Sequence, residues 1–198
     1  MGWRDQYRHG LPERRRPVCG LRFRAVITAA AGFITGLMLG VAAAASEPVV
    51  TQLDGHRVHG VIHVNAPLDV VRPVLSDPRQ IARIDNSGTT VTLRGKDGKC
   101  LLTHSAVEHP IASIEYITKV CPIADGFKST LHASGDLSDF ESIWRMRARG
   151  AQTIIEYEIV TVPDLPIPQF VVDRQTRSAV RTLLLKLQAH FEAPPVTP

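Results

Sequence analysis

The chain lacks the domain-wide excess of basic residues that its net charge of +4 suggests. Of its 23 lysines and arginines, seven are arginines in residues 1–45, where only two of the 19 acidic residues lie. Residues 46–198 therefore carry 16 basic and 17 acidic side chains. Because nucleic-acid-binding domains present a basic surface, this near-neutral balance predicts no nucleic-acid partner.

The sequence also lacks the short motifs that identify many enzymes. It contains no glycine-rich phosphate loop, no H-E-x-x-H motif and no G-x-S-x-G nucleophile motif. His59 and His63 share a face of a predicted strand, but two ligands on one strand do not make a zinc site. No third ligand follows at a suitable spacing. We therefore predict no metal, no cofactor and no catalytic residue.

One long uncharged run is present, covering the 21 residues 25–45. It follows a segment rich in arginine and ends in Ala43-Ala44-Ala45, an order typical of an export signal. A run of this length can also span a bilayer. We therefore expect residues 1–45 to be either a signal peptide or an N-terminal membrane anchor. Either alternative places the remaining chain in the periplasm, free or anchored to the inner membrane.

Cysteine is scarce, with three in the chain, and Cys19 precedes the apolar run. A turn centred on residues 110–111 would place Cys100 directly opposite Cys121 on neighbouring strands. Cross-strand residues at that separation are within reach of a disulfide, and an oxidising compartment favours one. Two free buried thiols are the alternative at this stage.

The spacing of apolar residues predicts one α+β domain over residues 57–193, after a linker at 46–56 and before a tail at 194–198. The first strand is predicted at 57–65, and proline and aspartate positions predict two short helices that end near residues 75 and 84. A long helix is predicted over 170–191. Six further strands are predicted at 89–94, 99–107, 113–120, 127–134, 139–148 and 152–162. We expect a curved antiparallel sheet of about seven strands packed on the long C-terminal helix.

Alternation along the strands separates inward from outward side chains. A turn centred on residues 151–152 gives one face that is apolar and one that carries opposite charges. Ion pairs of this kind contribute about 0.2–1 kcal/mol each and help to fix the register. The cross-strand pairs predicted are Trp144–Ile159, Met146–Tyr157, Arg145–Glu158 and Arg147–Glu156.

The predicted inward face mixes apolar side chains with hydroxyl groups and aromatic rings. Apolar walls with a few placed polar groups are typical of ligand cavities. A solid core with hydrogen-bonded hydroxyls is the alternative interpretation. The predicted ligand-binding residues are Leu101, Thr103, Tyr116, Thr118, Leu131, Trp144, Met146, Tyr157, Ile159, Phe170, Val180, Leu184 and Leu187.

Three segments of the chain resemble the START-like, helix-grip superfamily, which includes START lipid-transfer domains, birch-pollen-type allergens and polyketide cyclase/dehydrase proteins. Residues 61–71 resemble its entry from a strand into a helix, 75–81 its second short helix, and 164–172 its proline-containing entry into the gripping helix. Val71 stands where that family often has tryptophan or phenylalanine. The resemblance covers 57–193 and implies a cavity between sheet and helix. It also implies an apolar guest such as a sterol, fatty acid, phospholipid, quinone or polyketide.

These observations predict a periplasmic protein that binds or transfers a hydrophobic small molecule and is not an enzyme. One alternative is a cyclase- or dehydratase-type enzyme, which would need an acid–base pair inside the cavity. Another is a membrane-tethered accessory protein without a ligand. The expected partner is the ligand, while contact with the membrane and the oligomeric state stay open.

Overall fold

The computed structural model describes residues 48–52, 55–108, 113–133 and 135–193. The predicted export segment at 1–45 and the predicted tail at 194–198 lie outside these residues. Within the described part of the chain, no helix is both long and apolar enough to cross a bilayer.

The fold is one antiparallel sheet with a long helix against its inner face. The strands are β1 (Val49–Gln52), β2 (Val58–Val64), β3 (Thr89–Asp97), β4 (Cys100–Val107), β5 (Ile114–Ile123), β6 (Gly126–Ala133), β7 (Leu137–Arg149) and β8 (Gln152–Pro163), and the helices are α1 (Leu68–Leu75), α2 (Pro78–Asp85) and α3 (Gln169–Glu192). In the sheet the strands follow the order β1-β2-β8-β7-β6-β5-β4-β3. The predicted α+β class, antiparallel sheet and long C-terminal helix are confirmed.

The sheet has eight strands, and the additional one lies where a linker was predicted. Val49–Gln52 pairs with β2 at the edge of the sheet, with Val49 opposite Val61. A strand of four residues is too short for alternation to reveal it. The prediction of a linker over 46–56 is therefore wrong for these residues.

The two short helices begin at proline residues, as the sequence predicts. Pro67 is the N-cap of α1 and Pro78 is the first residue of α2. The Asp77 side chain accepts a hydrogen bond from the Arg79 backbone N–H at 3.0 Å, which caps α2. Asn86 ends this helix in the left-handed conformation at φ 46°. This ending turns the chain into β3.

The predicted register of β4 and β5 is confirmed, with Val107 opposite Ile114 and Thr103 opposite Thr118. Cys100 and Cys121 form the predicted disulfide, and their Cα atoms are 4.3 Å apart. Both cysteines lie on the face of the sheet opposite the Thr103–Thr118 pair, because adjacent strand positions point to opposite faces. The disulfide therefore links the two strands on the outer face.

The predicted register of β7 and β8 is wrong by two residues. The turn is centred on residues 150–151, where Gly150 has φ 63°, and so Trp144 lies opposite Tyr157 rather than Ile159. A shift by two keeps every side chain on its predicted face. The predicted charge partners still meet along diagonals, so the outer face keeps its ion pairs. The diagonal pairs are Arg145 with Glu158, 2.6 Å apart, and Arg147 with Glu156.

The main core lies where α3 crosses β2 and β8. Leu184 and Leu187 of α3 are fully buried there, together with Ile62 and Ile155. Each such aliphatic side chain contributes about 1.5–3 kcal/mol by leaving water. Gly60 permits the close approach, since a Cβ atom at this position would lie 2.4 Å from Leu184 Cδ1. This contact fixes one half of α3 against the sheet.

Candidate ligand-binding cavity

A cavity of about 420 Å³ lies inside the domain, beyond the point where α3 packs on β2. Its wall is formed by strands β3 to β8, by the end of α1, by α2, and by the part of α3 from Thr176 to Leu183. Exposed residues on its wall, including Ser87, Glu108 and Ala179, mark where it meets solvent. Its volume falls within the range typical of small-molecule sites, about 300–1,000 Å³. The fold therefore leaves room for a guest.

Seven of the predicted ligand-binding residues lie on the cavity wall. They come from four strands and one helix, and all but one of them project from the sheet. Their role in binding stays a prediction, but their position is the one that this role requires. These residues are Thr103, Tyr116, Thr118, Trp144, Tyr157, Ile159 and Val180.

Three other predicted residues, Met146, Leu184 and Leu187, lie in the packed core and not on the cavity wall. The sequence shows one continuous apolar stripe on α3, but the helix touches the sheet directly over half of its length. The stripe therefore divides between core and cavity. Expecting the whole stripe to face a ligand was wrong for this reason.

Leu101, Leu131 and Phe170 are also absent from the wall. Leu131 lies opposite Thr118 and so shares its face of the sheet, but it is half-buried beside an irregularity of the β5–β6 ladder and does not reach the wall. Leu101 lies near the start of β4, next to the β3–β4 hairpin. Phe170 is 74% exposed because the first turn of α3 precedes its contact with the sheet. These three predictions of position are corrected.

The predictions from sequence did not include α2 in the site. Ile81, Ala82 and Asp85 line the cavity from this helix, and Val91 lines it from β3. Positions 81, 82 and 85 share one helical face, which is the signal that could have identified them. That signal does not say what the face covers, because the covering depends on how α2 packs across the sheet.

Aromatic rings form two parts of the wall. The rings of Trp144 and Tyr157 stack with centroids 3.9 Å apart and an interplanar angle of 21°. The rings of Tyr116 and Phe140 are tilted, with centroids 5.1 Å apart. Such rings offer broad, rigid contact surfaces at little cost in conformational entropy.

Hydroxyl groups lie close together on the wall. Thr103 and Thr118 share a hydrogen bond with 2.8 Å between their oxygens. Ser105 lies beside Tyr116, and Ser142 beside Tyr157, and each serine lowers the pKa of its tyrosine. Throughout the described residues, every buried side-chain nitrogen or oxygen has a partner. The polar groups of the wall are therefore compatible with an otherwise apolar interior.

Burial keeps both tyrosines neutral. Desolvation raises the pKa of Tyr116, and it is also the main cause that raises the pKa of Tyr157, to which the nearby Tyr116 contributes further. A phenol with a raised pKa is a hydrogen-bond donor at neutral pH and a poor source of a base. The tyrosines are therefore suited to holding a polar atom of a guest.

Asp85 is the carboxylate that α2 brings to the wall. Ser87 Oγ donates a hydrogen bond to it, and Lys186 Nζ lies 3.4 Å from its Oδ1. Within the described ranges, no three histidine, cysteine or acidic side chains gather as metal ligands would. The wall residues can bind and orient a guest.

No protein-family model and no curated protein matches the sequence. Solved structures do resemble its fold. A START superfamily protein from Mycobacterium smegmatis has a TM-score of 0.62 at 18% identity, over 70% of this chain and 98% of that one. A STAR-related lipid transfer protein from Xanthomonas axonopodis has a TM-score of 0.58 at 13% identity, over 74% and 93%.

An aromatase/cyclase from Streptomyces sp. R1128 has a TM-score of 0.53 at 16% identity, over 69% of this chain and 96% of that one. Proteins with different roles thus share this architecture. At sequence identities this low, the similarity shows the fold and does not show the function. The TM-scores show that this chain shares the overall arrangement of its strands and helices with these structures. The chain has the START-like helix-grip fold.

Proposed function

We propose that this protein binds a hydrophobic small molecule inside the cavity and carries it in the periplasm. The observation that carries the proposal is the 420 Å³ space, which adjoins a closely packed core and is lined by apolar and aromatic side chains. A guest gains about 25 cal/mol for each Å² of apolar surface that leaves water. A lipid, sterol, quinone or polyketide-like molecule has the apolar surface to exploit this.

Binding is favoured over catalysis by the ionisable groups of the wall. General acid–base chemistry needs a positioned pair whose pKa values suit the working pH. The raised pKa values of Tyr116 and Tyr157 move both phenols away from that range. Asp85 already contacts Ser87 and Lys186. We therefore assign no catalytic residue.

The test is to purify the exported full chain under native conditions and extract it for mass spectrometry. An apolar molecule recovered in stoichiometric amount supports the proposal. A protein that yields no such molecule and does not bind the neutral dye Nile red would contradict it. Recovery of a guest that the protein has chemically altered would instead support a cyclase-type enzyme, the second candidate, for which Asp85 and the two tyrosines on one wall are the supporting observation.

The periplasmic part of the proposal is supported by the Cys100–Cys121 disulfide, since such bonds persist in oxidising compartments. The arginine-rich and apolar order of residues 1–45 also supports export. Cell fractionation with thiol labelling tests this part. The folded domain should appear outside the cytoplasm with Cys100 and Cys121 protected until a reductant is added. A cytoplasmic protein in which Cys100 and Cys121 react would refute it.

A further inference from the structure

The cavity wall carries no cation among the residues that the structure describes. Its ionisable side chains are Asp85, Glu108, Tyr116 and Tyr157, each of which is neutral or negative at neutral pH. Lys186 lies behind Asp85 and already contacts its carboxylate and its backbone oxygen. An anionic group of a guest would therefore find no free positive partner on this wall.

The wall hydroxyls can still form hydrogen bonds with a neutral oxygen of a guest. When two hydroxyl groups share one hydrogen bond, one O–H is used between them and the other is left to donate elsewhere. This holds for Thr103 with Thr118, whose oxygens are 2.8 Å apart. The threonine pair and the tyrosine and serine hydroxyls of the wall therefore offer donors and lone pairs to a hydroxyl or carbonyl group.

Transfer from water into the cavity costs much less free energy for a neutral oxygen than for an anionic group. A neutral oxygen that enters the cavity exchanges its hydrogen bond with water for one with a wall hydroxyl. A carboxylate or phosphate that enters must give up its hydration with no opposite charge to replace it, which costs far more. Glu108, at the edge of the wall, adds repulsion to this cost, whereas the charge of Asp85 is offset by Lys186.

We propose that the cavity selects neutral guests that carry hydroxyl or carbonyl oxygens and discriminates against anionic guests of the same apolar size. This inference rests on the proposed function and narrows the class of ligand. It favours molecules such as alcohols, sterols, quinones and neutral polyketides over ionised fatty acids and acidic phospholipids.

The test uses the purified full chain and displacement of Nile red by 1-decanol and by decanoate, at neutral pH and below micelle-forming concentrations. These molecules share a ten-carbon chain and differ in the charge of the polar group. We expect a dissociation constant at least about tenfold lower for the alcohol, because an unpaired buried charge costs more than one tenfold step in affinity. If the dye fails to bind at all, the proposed function fails. If the dye binds and decanoate displaces it as well as decanol does, or neither displaces it, this inference fails while binding of a hydrophobic molecule stands.

A matched pair of variants tests whether a cation on the cavity wall changes the preference between decanol and decanoate. Val91→Lys adds a cation at a cavity-lining position of β3, and Thr92→Lys adds the same cation at the next, exposed position, which points to the opposite face of the sheet. We expect V91K to tighten decanoate binding and reduce the preference for decanol, and T92K to keep the preference of the original chain. Thr89→Lys, at another wall position at the start of β3, repeats the test if V91K does not fold. Equal behaviour of the wall and exposed variants would overturn the proposal.

Discussion

Tyr116 and Tyr157 line the same largely apolar space, each beside a serine. For both phenols the loss of hydration on burial raises the pKa, whereas the neighbouring serine lowers it by a smaller amount. The unfolded chain has tyrosines that ionise near pH 10. Because the tyrosine pKa values differ between the folded and unfolded states, the stability of the domain depends on pH in the alkaline range.

The sign of that link follows from the direction of the shift. A group with a raised pKa in the folded state contributes stability that is complete below its ordinary value and is lost as pH rises toward the folded value. We therefore predict that the free energy of unfolding falls as the pH rises above 10, by up to about 1.4 kcal/mol per pH unit for each of the two tyrosines. Tyrosinate absorbance and far-ultraviolet circular dichroism, followed together, should show that Tyr116 and Tyr157 ionise only as the domain unfolds.

The variants Y116F and Y157F provide the control. Each should remove one phenol from the late absorbance transition and reduce the loss of stability per pH unit. Ionisation of both residues near pH 10 with the circular dichroism unchanged would show that the cavity is wet and the tyrosines are hydrated.

At the scale of secondary-structure elements, Gly60 controls how closely β2 and α3 approach. A Cβ atom at this position would lie 2.4 Å from Leu184 Cδ1 and 3.2 Å from Val180 Cγ1. Leu184 is fully buried, so its side chain would have to shift within the core. We predict that Gly60→Ala lowers the free energy of unfolding by about 1–3 kcal/mol through overpacking.

Urea denaturation measures this effect, and Gly95→Ala is its matched control. Gly95 lies in β3 and is exposed, and a Cβ atom added there would have open space within 4 Å. Its replacement should change stability by less than about 0.5 kcal/mol. Equal effects of the two substitutions would mean that α3 does not rest on β2 as described.

The disulfide between β4 and β5 joins residues 21 positions apart. A cross-link that closes a loop of that length restricts the conformations of the unfolded chain. This restriction raises the free energy of unfolding by about 3 kcal/mol. We predict that reduction lowers the free energy of unfolding by about this amount. The double variant Cys100→Ala with Cys121→Ala should have the stability of the reduced protein and no response to reductant. A reductant effect that persists in the double variant would assign the stabilisation to another cause.

The sequence was sufficient for the faces of the strands but not for every pairing. Arg145 and Glu158 were expected directly opposite each other and lie on a diagonal, because Gly150 closes the turn one residue earlier than expected. The hydrophobic pattern repeats every two residues, so it cannot distinguish registers that differ by two. In β4 and β5 the predicted register was correct, with Val107 opposite Ile114.

At the scale of the whole molecule, the cavity wall was the least predictable feature. Strand alternation identified Thr103 and Tyr157 as inward, but it could not show that α3 meets the sheet at one end and leaves space at the other. Whether Asp85 reaches the cavity wall depends on how α2 packs against the sheet. Such relations arise from packing between distant parts of the chain, which local periodicity does not contain.

Occupation of the cavity should stabilise the entire domain. A guest at 100 times its dissociation constant adds about 2.7 kcal/mol to the free energy of unfolding when it binds only the folded state. We predict this shift for 1-decanol, measured as a rise in the thermal midpoint.

Thr176→Trp and Ser178→Trp test whether the shift comes from the cavity. Thr176 lines the space, whereas Ser178 is exposed on the same helix and away from the wall. The first substitution should reduce the stabilisation by decanol, and the second should preserve it. An undiminished shift in T176W would place the decanol site elsewhere.

The two halves of α3 contact different parts of the molecule. Thr176 and Leu183 border the cavity, while Leu184 and Leu187 are embedded in the core that β2 and β8 provide. Exchanges in the first stretch can reshape the compartment and change its cargo, while the second stretch preserves the architecture. Specificity and foldability can consequently diverge along a single helix, so that related chains could acquire new cargoes without inventing a new scaffold.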